Sequence, residues 1–232
     1  MKRTVTLFVI LCVSSLSSSE DVVKRWADAV GGREKIAAIK SIYREATIEF
    51  GPYRGTLKVW HTADGKYRKE EQVATLSTVE TFDGTTGYVQ QGSEPPRRMT
   101  DAETQQTRSR RFANSNAMFF VFFPDRHRGA VKTEQDGTIV FVPEGGIEWR
   151  VTLDPQTSLP RTMVHKEGER TVTATFDSYE VVDGIKLEKE LHRSAGNPGM
   201  TSVIHFTKTV INPPLDPSLF TKIDANPSND KH

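Results

Sequence analysis

The side chains able to do chemistry are scattered rather than grouped. A thiol nucleophile needs a cysteine, and the only one is Cys12, close to the N-terminus. No Gly-x-Ser-x-Gly turn lifts a serine above a sheet, no His-Glu-x-x-His pair faces a metal, and no glycine-rich loop cradles a phosphate. The six histidines, at 61, 127, 165, 192, 205 and 232, stand singly, so they are expected as solvated or core-satisfied rings and no metal is assigned. Carboxylates are plentiful, but Lys69-Glu70-Glu71 and Glu188-Lys189-Glu190 look like solvated strand faces. An acid/base pair would have to be assembled by the fold alone. The sequence therefore predicts no catalytic residue, no cofactor and no enzyme.

Two local features rise above this background. Met118-Phe119-Phe120-Val121-Phe122-Phe123 holds four phenylalanines in six residues and stops at Pro124. Such a run either packs into a core or forms an apolar lid over a cavity. The second feature is charge: residues 97–128 carry seven arginines against three carboxylates, although the whole chain is only +1. Arg108, Arg110 and Arg111 crowd the end of a helix opened by the capping-box sequence Thr100-Asp101-Ala102-Glu103. They could be a solvated face, or could dock on anionic head groups or an envelope protein.

These features need a scaffold. At 232 residues, with 36% hydrophobic content and 31 basic against 30 acidic residues, the chain can build one sizeable domain. It gives no overall reason to expect nucleic acid, and it is not a helical membrane protein. Val22, Val23, Trp26 and Val30 recur at helical spacing before Gly31-Gly32, and a short helix is expected over 33–40. From Ser41 the period becomes two. Ile147, Trp149, Val151 and Leu153 face one way against Glu148, Arg150, Thr152 and Asp154, and Val172, Ala174 and Phe176 repeat the pattern. Asp-Gly pairs at 64, 83, 136 and 183 punctuate the runs as hairpin turns. Connections this short exclude parallel crossovers. The fold class is mainly β with some α: a curved antiparallel sheet of about eleven strands, forming an unclosed barrel, with short helices at the open end and a helical insert at 98–124.

Ahead of this, Lys2 and Arg3, the apolar run Val5 to Val13 and Leu16-Ser17-Ser18-Ser19 have the order of a secretory leader. Cleavage after Ser19 is expected, leaving a cysteine-free domain over 20–225, a disordered tail at 226–232 and a periplasmic location. The apolar run is too short to span about 30 Å of hydrocarbon.

Four phrases share one further property. They are Val30-Gly31-Gly32-Arg33-Glu34-Lys35-Ile36-Ala37-Ala38-Ile39-Lys40-Ser41, Thr81-Phe82-Asp83-Gly84 leading to Tyr88, Leu153-Asp154-Pro155-Gln156-Thr157-Ser158-Leu159-Pro160, and Asn212-Pro213-Pro214-Leu215-Asp216-Pro217-Ser218-Leu219-Phe220. In this order the sequence resembles the periplasmic outer-membrane lipoprotein-sorting family, relatives of LolA and LolB. The resemblance implies an unclosed barrel, helices over its open end and a hydrophobic cavity for acyl chains, carried without chemistry.

The expected function is thus a monomeric periplasmic carrier whose ligands are acyl chains of lipids or lipoproteins, with transient membrane or envelope-protein contacts. The alternatives are a structural protein whose sheet is simply filled, or a hydrolase with carboxylates in the cavity. Cavity residues are expected at Trp60, Phe82, Tyr88, Trp149 and Phe176 from strands, and at Met118, Phe119, Phe120, Phe122 and Phe123 from the lid. Docking is expected at Arg108, Arg110 and Arg111. Parity around Trp60 is ambiguous, since Leu57 and Val59 point the other way.

Overall fold

The computed structural model describes residues 19–196, 201–221 and 223. The expected tail and all of the expected leader but Ser19 lie outside the described residues. Alternation sets the strands. In β1 (Ser41–Phe50) one face buries Ile42, Arg44, Ala46 and Ile48, while Glu45, Thr47 and Glu49 point away. From β1 the chain meanders outward through β2 (Tyr53–Thr62), β3 (Tyr67–Val73), β4 (Leu76–Phe82), β5 (Gly87–Gln91) and the two-residue β6 (Arg97–Arg98). It then leaves the sheet and re-enters at the opposite edge. From there β7 (Gly129–Thr133), β8 (Ile139–Pro143), β9 (Trp149–Leu153), β10 (Pro160–Glu167), β11 (Arg170–Val182), β12 (Ile185–Ser194) and β13 (Thr201–Ile211) lead back, and β13 pairs antiparallel with β1.

The result is one antiparallel sheet of 13 strands, two more than the eleven expected, and β6 and β7 are its unpaired edges. This is an incomplete barrel. Of the four Asp-Gly pairs, only Asp183-Gly184 has positive φ at both residues, 50° and 78°. It makes the two-residue turn between Val182 and Ile185. The others sit in longer loops where only the glycine adopts positive φ.

Because β6 and β7 are consecutive in sequence but lie at opposite edges, the segment between them must cross the open side of the sheet. Its helix α3, Asp101–Arg110, starts with the expected capping box, Thr100 Oγ1 accepting from the Glu103 amide while Glu103 reaches back to the Thr100 amide. The short Ala117–Val121 helix follows, with every residue buried. Ahead of the sheet in sequence, α1 (Ser19–Val30) and α2 (Arg33–Ala37) lay Val22, Trp26, Val30 and Ile36 against the same core. The Arg33 guanidinium donates to the Phe122 carbonyl, tying the insert to α2. Trp26 meets Phe122 edge-on with ring centroids 4.9 Å apart.

The phenylalanine run is therefore a plug, correcting its assignment as a lid. Phe120 and Phe122 are 0% exposed and Phe119 is 2% exposed. The aromatic contacts continue from Phe112 to Phe120, from Phe120 to Phe141 and from Phe141 to Trp149, with centroids 5.1, 5.5 and 6.3 Å apart. Truncating a ring inside such packing loses both transfer free energy and the contacts around the void. Phe122→Ala is expected to lower stability by about 3–5 kcal/mol in urea unfolding, whereas Val181→Ala at an exposed strand position should change it by less than about 0.5 kcal/mol.

Candidate functional site

The strand register gathers polar side chains on the inner face. Arg44, Val59, Lys69 and Glu80 are successive cross-strand partners on β1 to β4, and Trp149, His165 and Val172 are partners on β9 to β11. Between these rows and the insert is a cavity of about 330 Å³. Leu57, Val59, Val172, Leu191 and Ile204 supply apolar wall, and Ala113, Asn114 and Asn116 from the insert form the roof. Asn114 holds φ of 54°, a left-handed conformation that asparagine tolerates better than most residues. The roof is fixed on β12, where the Glu188 amide donates to Ser115 Oγ at 3.2 Å.

Two charge networks line this space. In the first, Arg44 Nη1 donates to Glu188 Oε1 at 2.6 Å, Nη2 donates to the Glu188 carbonyl, and Nε donates to Thr209 Oγ1 at 3.1 Å. The guanidinium carbon lies 3.3 Å from the Phe206 ring centroid. The Arg44 and Glu188 side chains are 4% and 2% exposed. Burial pushes the Glu188 carboxyl up and the Arg44 guanidinium down, with their mutual attraction opposing both shifts. In the second network, Glu80 lies 3.1 Å from Lys69 and 3.0 Å from Arg110, and Glu167 lies 3.1 Å from Arg193 and 3.7 Å from Arg110. Burial alone would raise Glu80, but Lys69 and Arg110 hold it below its usual value. A hydrogen bond from His165, reinforced by Arg193 and Arg110, brings Glu167 down to about 2.

No protein-family model matches the chain, and no curated protein matches it. Solved structures do, among them two with TM-scores above 0.5. A DUF1329 family protein from Desulfovibrio piger is 14% identical and aligns over 88% of this chain and 96% of its own, with a TM-score of 0.51. A LolA superfamily protein from Nitrosomonas europaea is 10% identical and aligns over 88% and 98%, with a TM-score of 0.52. The chain shares its fold with both. At these identities the likeness is one of architecture, and the LolA-type fold here means an unclosed antiparallel sheet around the cavity just described.

Within this LolA-type fold, the residues expected to line a cavity separate into three groups. Trp149 lines it, stacked on His165 with centroids 3.9 Å apart. Phe82 and Phe176 are buried but are not among its lining residues, and neither are Met118, Phe119, Phe120, Phe122 and Phe123. Phe123 is partly buried, its ring 4.1 Å from the Arg126 guanidinium carbon. Trp60 and Tyr88 belong to the opposite face, correcting their placement. They sit in an outward row with Tyr43, Arg68 and Thr81, and Trp60 stacks on Tyr43 at 4.8 Å. Part of that outer row is covered by the chain after β13, where Arg68 Nη1 donates to the Leu219 carbonyl at 3.1 Å.

The arginines expected to dock on a membrane or partner turn inward in two of three cases. Arg110 enters the cavity, and Arg111 donates to the Gly65 carbonyl and lies over Phe112. Their charge serves the interior. Conversely, Glu188, Lys69 and Glu71, expected on solvated faces, line the cavity. Leu187 and Glu188 are both buried although consecutive, beside irregular β11–β12 pairing at Ser178.

Carboxylates and histidine thus converge in the pocket, as the hydrolase alternative requires. Each carboxylate faces a cation; Glu167, held near 2, carries no proton to give at neutral pH, and Glu188, which burial pushes up, is occupied by its bonds from Arg44. Asp177, Glu190 and His192 form a group with candidate metal-ligand atoms within 4.8 Å of one another. They lie on the outer face, across the sheet from the cavity, since the adjacent Leu191 and Arg193 point inward.

Two outcomes follow. Removing one member of a fully buried pair strands the other's charge, so Arg44→Leu should lose about 3–5 kcal/mol, with most of it recovered in Arg44→Leu/Glu188→Leu. Glu167 titrates lower in the folded chain, from 4.5 to about 2, so its contribution is present above pH about 4.5 and disappears as pH falls towards 2. The stability difference between the native chain and Glu167→Gln, followed by denaturant unfolding, should be flat above that window and shrink within it.

Proposed function

We propose that the chain is a periplasmic carrier that holds a lipid or the acyl portion of a lipoprotein in the cavity between the sheet and the insert, without chemical change. The observation that carries this reading is the cavity itself: the sheet is left unclosed, the plug fills only part of its inner face, and about 330 Å³ stays open with an apolar wall. Fold likeness to a LolA superfamily protein supports the same class, as do the sequence phrases resembling lipoprotein-sorting proteins and the leader-like N-terminus. Apolar burial of about 0.8 kcal/mol per methylene gives useful affinity without a sequence motif. The ion-paired carboxylates argue against a hydrolase.

Native mass spectrometry of protein purified from its own envelope without detergent tests the proposal. Mass adducts that yield phospholipid, acylglycerol or acylated protein on extraction are expected. A clean apo mass together with no uptake of fluorescent acyl probes would instead establish the filled-sheet scaffold reading.

A further inference from the structure

The cavity is not the greasy slot that acyl binding alone needs. Among the described residues, seven buried side-chain nitrogen or oxygen atoms find no hydrogen-bond partner in the protein, and five of them belong to residues lining this cavity. They are His61 Nδ1, Asn116 Oδ1, Trp149 Nε1, His165 Nδ1 and Glu188 Oε2. Leaving such groups unmatched in a dry interior is costly. Their gathering around one space marks that space as built for a polar occupant.

Their chemistry is lopsided. Trp149 Nε1 can only donate. Glu188 Oε2 and Asn116 Oδ1 can only accept. Burial holds His61 down to about 3, so its ring is neutral and its unpartnered Nδ1 can donate or accept according to tautomer. His165 Nε2 faces Glu167 Oε1 at 3.2 Å, and since a carboxylate oxygen accepts, Nε2 carries the donated proton and Nδ1 is the nitrogen left to accept. Three open acceptors therefore confront one open donor, and His61 Nδ1 can serve either way.

The charges point the same way. Arg44, Lys69, Arg110 and Arg193 are balanced by Glu71, Glu80, Glu167 and Glu188 around the cavity. Each of these cations lies within 4.0 Å of one of these carboxylates. No lining cation is left over for a phosphate or carboxylate, which offers acceptors only.

We infer that the cavity selects an uncharged ligand group rich in hydrogen-bond donors, hydroxyls or amide N–H as in an acylglycerol or glycolipid head, and discriminates against anionic heads. A ligand whose hydroxyls reproduce the bonds of any water it displaces enters such a space without loss. This rests on the carrier reading and names its ligand class.

The test compares ten-carbon amphiphiles differing only in head, monodecanoylglycerol, decyl glucoside, decanoate and decyl phosphate, by calorimetric titration below their micelle concentrations. The expected result is that at least one of the two neutral compounds binds about ten-fold or more tighter than both anions, the scale of one unmade hydrogen bond in a buried site. Asn116→Leu, checked for native circular dichroism, should shrink that ratio, because it removes an acceptor that only a donor-bearing head can use. Equal affinity across heads, or a preference for the anions, would overturn the inference and leave the carrier reading standing. Binding of none of the four would overturn both.

Discussion

An unclosed sheet cannot finish its own core. The thirteen strands leave β6 and β7 unpaired at opposite edges, and a curved sheet with an apolar inner face must cover it with something else. Here the cover is forced by connectivity, because the chain has to travel from one edge to the other between Arg98 and Gly129. That crossing segment carries both the four phenylalanines of the plug and the polar roof at Ala113–Asn116. Plug and cavity are two uses of one covering segment.

The roof and the charged walls depend on each other. Arg110, at the C-terminal end of α3, suits the helix dipole there and also bridges Glu80 on β4 to Glu167 on β10. It spans the gap that the sheet leaves open. Arg44 and Glu188 make an equivalent clamp on β1 and β12 and are more deeply buried. Buried pairs contribute little net stability compared with apolar packing, yet breaking one is costly. A set of such pairs around a cavity keeps its shape defined by directional bonds while blocking the apolar collapse that would close it.

Much of the architecture was legible in the sequence because it rests on local rules. The switch from helical spacing to period two at Ser41, the capping box at Thr100 and Glu103 and the turn at Asp183-Gly184 each depend on neighbours within a few residues. The site was much less legible. Trp60 alternates against Leu57 and Val59, so its outward position was available from parity, but a large aromatic side chain invites burial, and the cover over part of that outer face comes from residues past 211. Glu188 sits in an ordinary charged triplet, and its burial depends on Arg44, 144 residues away, and on irregular pairing with β11. The charged side chains of the cavity are brought together by long-range register alone, and no local pattern could announce them.

The division of the insert makes its two parts unequal in what holds them. Withdrawing the plug would expose several fully buried phenylalanines at about 1.5–3 kcal/mol each, together with the aromatic stack running to Trp149. That is comparable to the whole stability of a domain this size. The roof is held by much less: the Glu188–Ser115 bond, a long contact from the Asn114 amide to Met163 Sδ at 3.3 Å, and the salt links of Arg110. Exchange through the roof needs only a few polar contacts to break, each replaceable by water, while the plug remains seated and the sheet keeps its register. The cover is thus firm at the plug and lightly held at the roof, the side on which Asn114 and Asn116 line the cavity.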